Sequence, residues 1–269
     1  MRIDRLRRGL FGLLLAGFCS STLAAGEPAV TRYFNRPDAF VDATARRMAE
    51  AVDAGDINAA LGAARALPAG LNATGSDGET VLLMAVERTD AAMVKALLQA
   101  GANPNGTPYR APLGLAVRAY DLSLLKTLLA HGADPNGRFG DSPALGIAAL
   151  NNLPDVAELL LRAKARIDEP DEEGASPACI AAASDHWTMV DRLLAHGASI
   201  WATENGGLTL GQLAASATLR ADVPEGQARD RVIARLRGAN YPWPPARPKE
   251  IRELRKAGRW PPPGVAKPF

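Results

Sequence analysis

The sequence predicts an all-α solenoid of stacked helix–turn–helix units joined by short inter-repeat β-turn fingers. Three observations support this prediction: a motif that recurs every 31–34 residues, an aspartate before several second helices, and a glycine after them. The composition agrees with it, because 47% of the 269 residues are hydrophobic whereas only 5% are aromatic. The core of such a protein is therefore expected to consist of Ala, Leu and Val side chains.

Residues 1–25 have the three-part layout of a secretory signal peptide. The first eight residues contain four Arg and one Asp, residues 10–19 are mostly apolar, and the segment ends in small residues. An apolar stretch of about ten residues is half the length needed to span a bilayer. The segment therefore predicts export to the periplasm, with cleavage after Ala24 or Ala25, and no membrane span. Residues 26–39 are interpreted as a linker.

A lipid anchor at Cys19 is the alternative for this segment, but Phe18 stands where the lipidating peptidase requires a small residue. A lipid anchor is therefore not predicted. Removal of the signal peptide leaves Cys179 as the one cysteine of the mature chain. A single cysteine forms no internal disulfide, so the predicted export gains no support from cysteine pairing.

The middle of the chain repeats one motif, which is marked by an alanine-led pair of small residues. The pairs begin at Ala51, Ala85, Ala116, Ala148, Ala181 and Ala214, which gives spacings of 34, 31, 32, 33 and 33 residues. Apolar pairs four residues apart follow most of them, as expected for a broad apolar stripe on a second helix. A lone helix pair cannot bury this stripe, whereas stacked pairs can, so the units are predicted to form a solenoid.

The ends of the second helices have recognisable residues. Aspartates precede several of them and are expected to accept hydrogen bonds from the first turn as N-caps: Asp56, Asp90 and Asp121. Glycines follow several of them and are expected to take the left-handed conformation that ends a helix: Gly101, Gly132 and Gly197, with Gly238 in the same place.

On these residues the sequence resembles the ankyrin repeat family. The openings 77–82, 111–116, 176–181 and 208–210 match it, as do the closings LLQAGANPN, LLAHGADPN and LLAHGAS. The resemblance covers residues 40–240 in about five to six units, and its strength lies in the shared phase of the matches. The unit around Ala148 departs from the pattern with Lys164 in place of glycine, and the last unit carries an insertion at 219–227.

Catalytic and metal-binding chemistry is not predicted. His131 and His196 occupy the same repeat slot, and His186 takes the slot of Asp90, so repeat structure explains all three histidines. Cys179 is expected to be buried and inert. Phosphate-cradling and zinc-binding motifs are absent from the sequence. The sequence thus predicts a protein that is not an enzyme and that holds neither cofactor nor metal.

The resemblance implies that the fingers and first helices line a concave face that binds a protein partner. Aromatic and arginine side chains at these places suit interface hot spots. The predicted partner-binding residues are Arg88, Tyr109, Arg110, Tyr120, Arg138, Phe139, Trp187 and Trp201.

Residues 241–269 form a Pro-rich, basic tail with seven Lys or Arg against two Glu. We expect Trp243, Ile251, Leu254 and Trp260 to dock on the last repeat and cap the array, since repeat proteins must cover their open ends. A basic membrane-binding or partner-binding tail and a ligand for a Pro-binding domain are the alternatives. The total formal charge is +2, of which residues 1–25 carry +3 and the tail carries +5, so residues 26–240 carry −6. A negative array is expected to favour a basic partner and to attract the basic tail.

The predicted function is a monomeric, non-catalytic protein-binding module in the periplasm. The resemblance to exported bacterial ankyrin proteins implies either an immunity or inhibitor protein for a secreted toxic effector, or an accessory factor of a periplasmic enzyme, as in peroxide defence. An enzyme with a site in the C-terminal unit is the different-class alternative, and it lacks His, Cys or Ser partners in residues 219–227. Nucleic-acid binding is not predicted, because the charge is close to balanced.

Overall fold

The computed structural model describes residues 37–264, which contain thirteen α-helices and two short strands. The predicted signal peptide at 1–25, most of the predicted linker at 26–39 and the last five residues lie outside this range. The chain divides into two compact units at Gly140, with residues 37–140 described in unit 1 and residues 141–264 in unit 2.

Unit 1 consists of three helix pairs followed by a short strand. A 3₁₀ turn at Pro37–Ala39 precedes the first pair, and another at Gly70–Asn72 precedes the second pair. The elements are α1 (Ala43–Asp53), α2 (Ile57–Ala64), α3 (Val81–Glu87), α4 (Ala91–Gln99), α5 (Pro112–Arg118), α6 (Leu122–Ala130) and β1 (Arg138–Phe139).

Unit 2 also contains three helix pairs, and a further helix from the tail follows them. The elements are β2 (Ser142–Pro143), α7 (Ala144–Leu150), α8 (Pro154–Arg162), α9 (Pro177–Ala183), α10 (Trp187–Ala195), α11 (Leu210–Ser216), α12 (Pro224–Gly238) and α13 (Pro248–Lys256).

The predicted helix ends are confirmed at most positions. The side chains of Asp56, Asp90 and Asp121 accept backbone hydrogen bonds of 2.9 Å from the third residue after each. These bonds satisfy amide groups that otherwise have no partner in the first turn. Gly101, Gly132 and Gly197 have φ angles of 94°, 86° and 97°, as the left-handed end of a helix requires.

Small residues allow the first helix of each pair to be buried. All seven residues of α9 are buried, and six of the seven residues of α3 are buried. The second helices instead bury one stripe, such as Met93, Val94 and Leu97 on α4. This division explains the scarcity of aromatic residues, because a helix packed on several sides leaves room for little more than Ala, Leu and Val.

The unusual repeats adjust their helix ends locally. Lys164 takes the left-handed conformation with φ 71°, in the place that glycine holds in neighbouring units. At the last unit the prediction that Gly238 ends the helix is wrong, because α12 includes Gly238 and the left-handed residue is Asn240, with φ 57°. The insertion at 219–227 is partly helical, since α12 already begins at Pro224.

The tail packs on the last helix pair of unit 2. Ile251 and Trp260 are buried, whereas Trp243 and Leu254 are half-buried. Arg252 and Arg255 donate to the backbone carbonyls of Gly206 and Glu204 at 2.6 and 2.9 Å. These contacts join the tail to the array through hydrogen bonds to backbone oxygens as well as through apolar burial. Within residues 37–264, no helix combines the length and apolar character that crossing a membrane requires.

Candidate partner-binding surface

Two tyrosines of unit 1 stand out by their exposure. Tyr109 lies in the finger before α5 and is 59% exposed, and Tyr120 lies in the turn after α5 and is 53% exposed. Most other large apolar side chains of the described residues are buried or half-buried. Because exposed tyrosine offers a large contact area with little loss of side-chain entropy, both positions suit a protein contact.

Tyr120 also has a strained backbone. Its φ angle is 55°, a left-handed value that costs a bulky residue about 1 kcal/mol or more. The corresponding turns place Gly55, Thr89 and Asn152 at similar angles, so the fold requires the conformation but does not require an aromatic residue. Glycine or asparagine would adopt this conformation at a lower cost than tyrosine.

Phe139 lies beside the finger of Tyr109, since the Gly140 N–H donates to the Tyr109 carbonyl at 2.8 Å, and Arg118 ends α5 two residues before Tyr120. The Arg118 guanidinium lies over the Phe139 ring, 5.7 Å from its centre, in a cation–π contact. Gly114 allows the finger that contains Phe139 to approach α5 closely, because a Cβ atom on Gly114 would lie 2.8 Å from the Phe139 Cβ. We refer to Tyr109, Arg110, Arg118, Tyr120 and Phe139 together as the tyrosine surface.

Arg110 connects the tyrosine surface to a buried carboxylate. Its guanidinium donates to Glu79 at 2.8 Å and lies 3.4 Å from Asp77. The Glu79 side chain is only 1% exposed, and burial raises its pKa to about 8. Arg110 is thus held in position by its own chain and presents only part of its side chain to solvent.

The two other arginines predicted at this surface have structural contacts. Arg88 is exposed and forms an ion pair with Asp53 at 2.7 Å. Arg138 is half-buried, and its carbonyl accepts a hydrogen bond from the Ala111 N–H at 2.8 Å. Six of the eight predicted residues thus lie in unit 1, and Tyr109 and Tyr120 are the most exposed of them.

Trp187 does not lie at the surface, so its prediction as a partner contact is corrected. It is fully buried at the start of α10, and its indole N–H donates to Asp185 at 3.3 Å. Its neighbour Thr188 donates from its backbone and its hydroxyl to Glu225 of α12, each at 2.7 Å. Glu225 thus joins the first turn of α12 to the start of α10, where the indole is buried.

Trp201 requires the same correction, because the tail of its own unit covers it. It is 8% exposed, stacks on Tyr241 with ring centres 4.9 Å apart, and meets the edge of Trp260 at 5.4 Å. The Trp260 indole N–H donates to the Trp201 carbonyl at 3.1 Å. The three aromatic rings form a cluster that holds the tail in place.

Two of the histidines lie at helix ends, and Cys179 lies in the core. His131 and His196 are the C-caps of α6 and α10, and His196 pairs with Glu158 at 3.1 Å. The thiol of Cys179 is buried, and burial raises its pKa to about 11. A thiol with so high a pKa is a poor nucleophile at neutral pH.

The predicted partner-binding residues did not include Glu79 and Glu87, which lie in this region. Burial raises the pKa of Glu87 to about 7, and the positive charge of Arg110 lowers the pKa of both carboxyl groups. The available signal was the spacing: Arg110 follows Glu79 by 31 residues, and Arg118 follows Glu87 by 31 residues, which is the period of this repeat. Side chains one period apart lie next to each other in stacked units.

Comparisons with known proteins agree with this architecture. A family model described as ankyrin repeats (3 copies) matches residues 49–139 and 113–204, which together span more than half of the chain. No curated protein matches the chain.

Two solved structures show the same fold. The ankyrin repeat domain of Bcl-3, a member of the IkappaB protein family, is 26% identical, with a TM-score of 0.57, over 70% of this chain and 85% of that chain. An ankyrin repeat domain from Acinetobacter baumannii AYE is 20% identical, with a TM-score of 0.58, over 70% of this chain and 95% of that chain. With the repeat period, the capped helix pairs and the family match in agreement, the chain belongs to the ankyrin repeat family.

Proposed function

We propose that this ankyrin repeat protein is exported to the periplasm and binds a protein partner there through the tyrosine surface of unit 1. Ankyrin repeats are protein–protein interaction modules, and the fold is in general a non-catalytic scaffold. The exposure of Tyr109 and Tyr120 is the observation that supports this surface above others, since Trp187 and Trp201 are buried.

The specific role that we propose is that of an immunity or inhibitor protein for a secreted toxic effector. A binder of this kind acts by covering part of its partner. A partner with measurable activity is therefore expected to lose that activity when one equivalent of this protein is added. Retained or increased activity in the complex would instead indicate an accessory factor.

The partner contact is tested by a double variant, Tyr109→Ala with Tyr120→Asn. We expect capture of the partner from envelope extracts to fall at least tenfold, because a hot-spot tyrosine typically contributes about 2 kcal/mol. Folding is expected to persist, since both side chains are exposed and asparagine suits the left-handed conformation at residue 120. Capture is measured by quantitative mass spectrometry of the co-purified proteins.

Thr89→Asn is the matched control, because Thr89 is exposed and occupies the corresponding turn of the preceding repeat with φ 53°. It changes a left-handed residue without removing an aromatic ring. Equal capture by the double variant and the wild type would contradict a role for the tyrosine surface.

Export is tested by cell fractionation and N-terminal sequencing. We expect the protein in the periplasm, beginning near residue 26, because residues 1–25 have the layout of a signal peptide. A variant that lacks residues 2–25 is the control and is expected to stay in the cytoplasm. Recovery of the full-length chain from the cytoplasm with an intact N-terminus would contradict export.

A further inference from the structure

The tyrosine surface borders two buried carboxylate oxygens that have no hydrogen-bond partner. Among the described residues, Glu79 Oε1 and Glu87 Oε2 are both shielded from solvent and unpaired. The second oxygen of Glu79 accepts a hydrogen bond from Arg110 at 2.8 Å. Buried polar atoms are rarely left unpaired in folded proteins, so two such oxygens in one region require an explanation.

Carboxyl groups outnumber guanidinium groups around these oxygens. Asp77 and Glu87 raise the pKa of Glu79, whereas Arg110 lowers it, and burial is the largest cause of its rise to about 8. Arg110 and Arg118 lower the pKa of Glu87, yet burial keeps it at about 7. Three carboxyl groups thus face two guanidinium groups.

Arg118 does not supply the missing contact, because its guanidinium lies over the Phe139 ring. Two side chains of the region nevertheless reach solvent. Arg110 is 23% exposed, and Glu87 is half-buried. A ligand from solvent would therefore approach the carboxylates past these two side chains.

We propose that Glu79 and Glu87 receive a lysine or arginine side chain of the protein partner, which binds beside Arg110 and donates to both unpaired oxygens. The inference rests on the proposed function and names the chemistry that the partner must present. Charge-assisted hydrogen bonds are stronger than neutral ones, and a water-poor region strengthens them further. The neighbouring Tyr109 and Tyr120 would contact the chain on either side of the basic residue.

Binding of the cation is expected to strengthen as the pH rises. The basic side chain binds the ionised carboxylates, and protons compete with it. A carboxyl group with a pKa of about 7 is roughly one-tenth ionised at pH 6 and almost fully ionised at pH 8.5. Glu79, with a pKa of about 8, also gains charge over this range, so affinity is expected to rise at least tenfold.

The probes are Nα-acetyl-lysine amide and Nα-acetyl-arginine amide, added to the full mature chain labelled with ¹⁵N. Nα-acetyl-norleucine amide is the neutral control. Both basic probes are expected to shift the amide signals of Glu79, Glu87 and Arg110 in a saturable manner. The variant with Glu79→Gln and Glu87→Gln is expected to weaken probe binding at least tenfold, whereas Glu50→Gln, at an exposed glutamate of α1, is expected to leave it unchanged.

Equal shifts with norleucine, an affinity that does not depend on pH, or full binding by the double glutamine variant would each overturn the inference. The first two results come from the wild-type chain, so they decide the matter even if the variant does not fold. If the partner is captured through Tyr109 and Tyr120 while the basic probes fail, the proposed function stands and the basic-residue inference fails. If the basic probes bind but no partner is captured through Tyr109 and Tyr120, the basic-residue site stands and the proposed function fails.

Discussion

Replacing Trp187 by Ala is expected to lower the free energy of unfolding of unit 2 by about 3–5 kcal/mol, as for other large buried side chains. The indole is fully buried and donates a hydrogen bond to Asp185. Its removal leaves a cavity at the start of α10. Because whole domains are stable by only about 5–15 kcal/mol, this loss would be a large share of the total.

Equilibrium denaturation followed by circular dichroism measures the effect of Trp187→Ala. All four tryptophans of the chain lie in unit 2, so intrinsic tryptophan fluorescence reports on that unit alone. Tyr109→Ala is the control, since its side chain is exposed and its loss is expected to change stability by less than about 0.5 kcal/mol. A Trp187→Ala protein of wild-type stability would show that the indole is not part of the core.

The second large effect is expected for Trp260→Ala, at about 3–4 kcal/mol. This change removes the edge contacts of the ring to Trp201 and Tyr241, with ring centres 5.4 and 5.7 Å apart, and the hydrogen bond to the Trp201 carbonyl. The tail is expected to detach from the last helix pair, because α13 has nine residues and is too short to be stable alone.

Trp243→Ala is the matched control for the tail, since Trp243 is also a tail tryptophan but is only half-buried, against Arg237 at 4.9 Å. We expect it to cost about 1 kcal/mol. Limited proteolysis between residues 241 and 264 measures detachment directly, and Trp260→Ala should be cut faster than Trp243→Ala. Equal cleavage of the two variants would contradict the aromatic cluster as the attachment of the tail.

The sequence alone did not reveal that Trp187 and Trp201 are buried. Trp187 follows a turn and Trp201 lies in a finger, and both places are exposed when one repeat is considered alone. The start of α10 is joined to α12 through Thr188 and Glu225, and the tail covers Trp201, so the segments that pack there are 37 or more residues away in the sequence. An experiment that removed both rings to test partner binding would measure stability instead.

Glu79 illustrates the same limit for a charged residue. A glutamate next to the helix-capping Thr80 is expected to be solvated, and no local pattern shows otherwise. The stacked repeat that contributes Arg110 is what buries it and raises its pKa. The repeat period predicts which residues are neighbours, but burial depends on how the side chains fill the space between them.

The sequence alone determined the ankyrin architecture, the aspartate caps and the glycine ends. These features depend on local backbone geometry and on a period that repeats along the chain, so each unit carries its own evidence. Only the tertiary structure decided which aromatic rings are exposed, how the tail is attached, and that two buried carboxylate oxygens have no hydrogen-bond partner. These properties depend on contacts between distant segments, because the burial of these residues is set by segments that are far away in the sequence.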